Sequence, residues 1–526
     1  MMQKGRHNLV SKYQCLDDLQ IPEDQPLLGS PFTRSDTHSH GLAIIICTAS
    51  VLFLASATNG LVTLNIIQFS SEFGLDRGVE LWPMTMYYFA QGCTFLLAGS
   101  LTDVLGSRRI FLFGCFLQTV CHLASGLARA GAQLIAVRFI SGIAYPMCFI
   151  SAMSIHGENL PIGKLRNLAF TCTGASQYIG SGVGIILSGV LSETTGWRWG
   201  FHCAAILSLV VLLLSIWTIP QQPHGPKYIP WTELAEDIEW SGTLLASSLT
   251  ALLFSALAVI TNNVANIGRS SLFVPLALGW ILLVAFLFWH DCWERDSTQR
   301  IQNSLWTNFH FLSMCLVVFF VYTSSHSTSQ LMIFVFQRAQ GLSVLQSSWR
   351  YLTVPIAGAL STLLTGHFLS RVEVNNILIV AIVLSSLSPL LMATLNLAWP
   401  YWKCAMPAVS LNSVASNSVI PIATMMVAGS FPLETQGLAM GVLCTVAMVG
   451  ASVGMALTAL ISNDVSTQLL HTPNQGTSLH DSPEIWMSGY RTAFLFLFSL
   501  NLVGLAITLG CLRKLGYLGR KLDIGH

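Results

Sequence analysis

Charge is what this sequence has least of. Only 9% of its 526 residues are Asp, Glu, Lys or Arg, where a soluble domain uses about 25% to cover its surface. The formal net charge is +1, so no basic excess is present to hold nucleic acid. No Asn-x-Ser/Thr sequon occurs, and N-glycosylation is not expected. No Cys-x-x-Cys pair or His-Glu-x-x-His helix offers a metal site. The cysteines, Cys47, Cys93, Cys115, Cys148, Cys315 and Cys444 among them, lie mostly in apolar runs, where they behave as small hydrophobes. Gly157–Leu165 superficially resembles a phosphate loop, but it has one residue too many and lacks the Ser/Thr that holds magnesium. No nucleotide, metal or other cofactor is expected, and energy should come from an ion gradient. Nothing points to an enzyme.

What is present is hydrocarbon. Hydrophobic residues make up 53% of the chain, and the mean hydropathy is +0.62. Apolar stretches of about 20 residues recur, each long enough to cross ~30 Å of bilayer as a helix. They fall near 41–62, 80–100, 109–128, 132–155, 168–191 and 201–219. After a polar, Pro-rich break at 221–240 come 241–260, 271–290, 308–330, 349–369, 376–396, 402–428, 436–461 and 491–512. The expected fold class is therefore an all-α polytopic membrane protein with about fourteen spans. Lys and Arg outnumber two to one in the loops on the side of the N-terminus, which puts both termini in the cytosol. Residues 1–40 and 513–526 are expected as cytosolic tails, the first disordered. Ser462–Gly489 is expected as a long outer loop.

One polar hairpin carries the strongest pattern: Gly99-Ser-Leu-Thr-Asp103-Val-Leu-Gly106-Ser-Arg108-Arg109. Its glycines permit a tight turn, and Asp103 can cap the next helix or pair with Arg108 or Arg109. The spacing Gly-x-x-x-Asp-x-x-Gly-x-Arg-Arg resembles the signature loop between spans 2 and 3 of the major facilitator superfamily. Val104 and Ser107 depart from the usual basic residues. The resemblance implies a major facilitator fold, with a six-helix bundle over 41–220, two extra helices over 221–300 and a second bundle over 301–512. It also implies that the hairpin latches the halves in one access state.

Further stretches narrow the resemblance. Arg138 sits inside a span, where a central charge costs about 2.5–3.5 kcal/mol, and no carboxylate lies at its depth. Leu134-x-x-x-Arg138-x-x-x-Gly142 resembles the span-4 motif of proton-coupled exporters, which implies a coupling role for Arg138. In span 5, Gly174 to Gly189 forms a smooth stripe suited to close helix packing. Within it, Gly180 and Gly184 resemble the antiporter motif of drug exporters, with Ser181 and Ile185 replacing its proline and last glycine. Gly196-Trp197-Arg198-Trp199 resembles the fourteen-span drug:proton antiporters. Phe431-Pro-Leu-Glu434-x-Gln436-Gly437 and Gly489-Tyr490-Arg491 are similar to fungal aminotriazole-resistance exporters.

The first-span aspartate of many such antiporters is absent, and Asn59 and Asn65 stand in that region. A proton-coupled cycle then needs another titrating group. His326, in the polar run Tyr322–Gln330, is the candidate, because histidine titrates near pH 6.5. His326 and Asp103 are expected to share the proton-linked steps; His122 is expected to be packed. Tyr87, Gln91, Gln177, Tyr178, Tyr322, Asn412 and Asn417 are expected to line a cavity, since polar groups inside membranes turn inward. The expected function is a monomeric secondary transporter that exports small organic molecules in exchange for protons. The alternative is an importer or channel for a small nutrient such as ammonium. The plasma membrane is the expected address, and the dileucine-like Glu23–Leu28 keeps the vacuole open.

Overall fold

The structure is a computed structural model that describes residues 34–75, 79–161, 164–221, 308–368, 371–431, 433–470 and 483–512. The two extra spans expected near 241–260 and 271–290 lie outside the described residues, as do most of the N-terminal tail and the C-terminal tail. Residues up to Ala43 form one compact unit, of which the described part is the start of the first helix. The rest, from Ile44, forms the second.

The described elements of the first half are α1 (Arg34–Phe73), α2 (Trp82–Leu105), α3 (Ser107–Leu127), α4 (Gly131–Asn159), α5 (Lys164–Glu193) and α6 (Arg198–Thr218). In the second half α7 (Phe309–Phe334) runs into a π-turn at Val335–Ala339. Then follow α8 (Val344–Tyr351), α9 (Thr353–Phe368), α10 (Val374–Ala393), α11 (Ala405–Ser430), α12 (Leu433–Leu470) and α13 (Pro483–Cys511). Nine helices among the described residues are long and apolar enough to cross a membrane.

Local chemistry sets the ends. Gly106 closes α2 and opens α3 with φ +91°, and its N–H donates to the Thr102 carbonyl over 3.0 Å. That left-handed conformation is where a side chain would be strained. Asn308 caps α7 by accepting from the backbone of His310 and Phe311, and Ser343 with Gln346 makes a reciprocal capping box on α8.

Packing follows the apolar and small residues. α2 lies on α4, and α3 on α4 and α6, while α7 lies on α12 and α13, and α10 on α11 and α13. The most extensive pairings across the halves are α2 with α12 and α5 with α8 and α9. The other faces are greasy and exposed: α6 shows Ile206, Leu209, Leu213 and Trp217 outward, as a lipid-facing helix does.

Two expectations need correction. Helix α1 begins at Arg34, inside the stretch read as a disordered tail to residue 40. Helix α12 continues to Leu470 and α13 starts at Pro483, so the loop read as Ser462–Gly489 is mostly helix. The added turns are polar and carry side-chain bonds: Ser466 to the Ser462 carbonyl, Thr467 to that of Asn463, and Gln468 to Asp464. Hydropathy marks where hydrocarbon ends, and a helix can run on into water.

Candidate functional site

Arg138 is the largest charged group in the interior, 1% exposed. It stays inside and does not reach outward. Its Nη2 donates to Asn59 Oδ1 over 2.9 Å, and its guanidinium lies 4.1 Å from the Tyr87 ring centroid. Asn59 Nδ2 donates in turn to the Tyr88 hydroxyl over 2.9 Å. The Tyr88 ring meets the His326 imidazole edge-on at 4.7 Å. A continuous chain therefore runs from α4 through α1 and α2 to α7, crossing from one half to the other.

Half-buried polar side chains beside this chain mark a cleft between the helices. Asn59, Thr63, Tyr145, Gln177, Tyr178, Tyr322, His326, Ser329 and Asn417 are half-buried, although they sit in the middle parts of their helices. On α1 and α7 they recur at helical spacing, as Asn59, Thr63 and as Tyr322, His326, Ser329, so each set shares a face. Tyr145 donates to Gln177 over 2.9 Å. Across the halves Tyr178 meets Thr362 at 2.8 Å and donates to Asn417 over 3.0 Å. Tyr322 lies against His326 with ring centroids 5.4 Å apart.

Three expected cavity residues are placed elsewhere, Tyr87 being buried against Arg138. Asn412 is buried, and its amide donates to the Ser325 carbonyl and to Ser329 over 2.9 and 2.7 Å, clasping α11 to α7. Gln91 is buried against Tyr87. His122 is enclosed by Thr58, Gln118 and Ser208 at 3.2, 3.0 and 2.9 Å, in keeping with the packed role read for it.

The glycines expected in gating lie at close helix approaches. A Cβ on Gly180 or Gly184 would run into the α1 backbone at Phe53 and Ala57, and one on Gly142 into Tyr87 of α2. The reciprocal face on α1 is Gly60, with Ser181 O at 2.8 Å from its would-be Cβ.

At the hairpin, Ser107 donates to Glu158 over 2.7 Å, Arg108 Nη2 to the Ile216 carbonyl over 2.8 Å, and Arg109 is exposed. Asp103 belongs to α2, and its side chain lies outside the described residues. Fifteen residues of helix, about 22 Å, separate it from Tyr88, so the structure does not bring Asp103 and His326 together.

The two ends of the cross-half contacts differ. Away from the hairpin they are tight: a Cβ at Gly189 would lie 2.8 Å from Leu345 Cα, and Arg338 grips Glu80 through contacts of 3.0 and 2.5 Å. Gln337 donates there to the Leu64 carbonyl over 2.9 Å. Toward the hairpin, a Cβ on Gly99 of α2, Gly174 of α5, Gly366 of α9 or Gly437 of α12 would meet nothing within 4 Å. Open space thus lies beside these four glycines, while about a turn deeper Gly441 of α12 still meets Leu96 of α2.

Sequence reasoning missed Tyr88, Tyr145 and the Glu80–Arg338 pair. Lone aromatics in an apolar run carry no signal of direction, and an ion pair 258 residues apart leaves none in spacing.

Long apolar helices around a polar mid-depth cavity define a multi-pass membrane transporter. The profile of the Major Facilitator Superfamily matches residues 47–406 and 314–515, and the chain belongs to that family. Among curated relatives, MFS-type transporter 1 of Pyricularia oryzae is 28% identical over 90% of this chain and 84% of its own. The low affinity ammonium transporter of Saccharomyces cerevisiae is 23% identical over 87% of both chains. Efflux pump terG of Aspergillus terreus is 24% identical over 89% of this chain and 86% of its own. A solved bacterial homologue of the human lysosomal transporter Spinster, inward-facing and unoccupied, has the same fold at a TM-score of 0.63 and 14% identity. It is matched over 92% of this chain and 98% of its own.

Proposed function

We propose that this transporter exports small organic molecules in exchange for protons. The observation that carries the reading is the Arg138–Asn59–Tyr88–His326 chain. It places a fixed cation and a titratable imidazole on the same cavity, one in each half, so a proton on His326 changes the field across the cleft. Two bundles, 41–220 and 301–512, rock about this site. Gly142, Gly180 and Gly184 keep the helices that carry it at close contact. Asp103, Arg108 and Arg109, with the turn at Gly99 and Gly106, form the latch of the hairpin end.

The positive-inside reading makes the hairpin end cytosolic, so the cleft opens where an exporter collects its cargo. A relative named as an efflux pump supports this direction. The reading takes the protein as a monomer in the plasma membrane, with the vacuolar membrane as the other address.

Inside-out vesicles test it. An acid interior should drive accumulation of an exported compound, and collapse of the pH gradient should abolish it. Import is the second reading, favoured by the likeness to a low affinity ammonium transporter. It predicts uptake of labelled methylammonium by right-side-out vesicles with no proton counterflow.

A further inference from the structure

We propose that the cargo is an aromatic weak acid held as its anion. This deepens the transport reading: it rests on the mid-membrane cavity being the cargo site, and not on the direction of transport.

The first ground is charge. A guanidinium has five N–H donors and no acceptor, and Arg138 is given only a neutral amide oxygen and the face of a tyrosine. Its Nε is buried without a hydrogen-bond partner. Among the described residues no carboxylate forms an ion pair with it, and Glu72 and Glu80 are held by Arg198 and Arg338. A buried cation left uncompensated in a dry protein interior is costly, and its field reaches into the adjacent cavity with little screening. An anion in the cavity supplies the missing charge, whereas a cation adds to the imbalance.

The second ground is the direction of the hydrogen bonds. Because Arg138 can only donate, Asn59 must turn its oxygen to it and its NH2 to Tyr88. The Tyr88 oxygen therefore accepts from Asn59, and its own hydrogen is left to point elsewhere. That remaining hydrogen is a donor, which suits a carboxylate or phenolate better than an ammonium.

The third ground is shape. Tyr88 and Tyr322 flank His326 with centroids at 4.7 and 5.4 Å, and Tyr145 stacks on Phe149 at 6.0 Å. Flat apolar faces around one polar wall fit a planar ring bearing an acidic group.

Two dyes with the same xanthene skeleton and opposite charge provide the test: anionic fluorescein and cationic rhodamine 123, whose carboxyl is a methyl ester, binding to purified protein in nanodiscs, read by fluorescence polarisation. Fluorescein is expected to bind at least tenfold more tightly. Arg138→Gln should abolish that preference and Arg138→Lys should keep most of it. Asn59→Asp, which places a carboxylate against the guanidinium and cancels its charge, should abolish it too, so the result does not hang on one variant that could misfold. Equal or tighter binding of rhodamine 123, a preference unchanged in both Arg138→Gln and Asn59→Asp, or no binding of either dye would overturn the proposal. Anion-selective binding without proton-driven export would sink the export reading and leave this one standing.

Discussion

Glu80 and Arg338 come from opposite halves and lock together through two contacts, 3.0 and 2.5 Å, with Arg338 also lying over the rings of Phe334 and Trp486 at 5.1 and 5.0 Å. Both side chains are largely buried, Arg338 at 17% and Glu80 at 9% exposure. Removing one partner of such a pair costs about 3–5 kcal/mol. Arg338→Gln is therefore expected to loosen the closed end. The rate at which a membrane-impermeant maleimide labels Thr63→Cys should rise at least tenfold, and the charge swap Glu80→Arg with Arg338→Glu should return it toward wild type. An unchanged rate in Arg338→Gln would show that the pair does not hold the closed end.

The glycines separate packing from motion. At Gly184 a side chain would strike the α1 backbone at Ala57, and overpacking of this kind costs about 1–3 kcal/mol. Gly184→Val should lower the thermal midpoint of the purified protein. Gly174 has open space around its would-be Cβ, so Gly174→Ala should change stability by less than about 0.5 kcal/mol. Gly174→Trp should fold but stop transport, because the hairpin end could no longer close. Normal transport by Gly174→Trp would contradict the inferred motion.

Asp103→Asn should leave the protein in the membrane at normal abundance and cut transport severely, since the change removes the latch carboxylate and almost no volume. Surface abundance measured beside efflux checks it. Wild-type efflux in that variant removes the hairpin from the cycle.

Much of this was legible in the sequence. Apolar length alone located the described spans, because the bilayer thickness dictates it, although α1, α12 and α13 run two turns or more past the expected stretch at one end. Arg138 stood out because a charge has no cheap reason to be in hydrocarbon. The close-packing role read for the span-5 stripe agrees with Gly180 and Gly184 lying against α1. Partners were not legible: nothing in the spacing ties Asn59 to Arg138, or Tyr88 to His326. Asn412 shows the opposite failure. A polar residue in a membrane helix turns inward, but inward here means Ser325 and Ser329, and the cavity is lined by Asn417, five residues on.

Proton-linked transport through the chain from Arg138 to His326 is tested most directly by the pH profile of efflux in wild type and His326→Ala, at equal abundance. The account predicts that wild-type efflux varies across pH 5–8, the range in which an imidazole titrates, and that the variant loses this dependence. A profile in His326→Ala that overlays the wild type would contradict it.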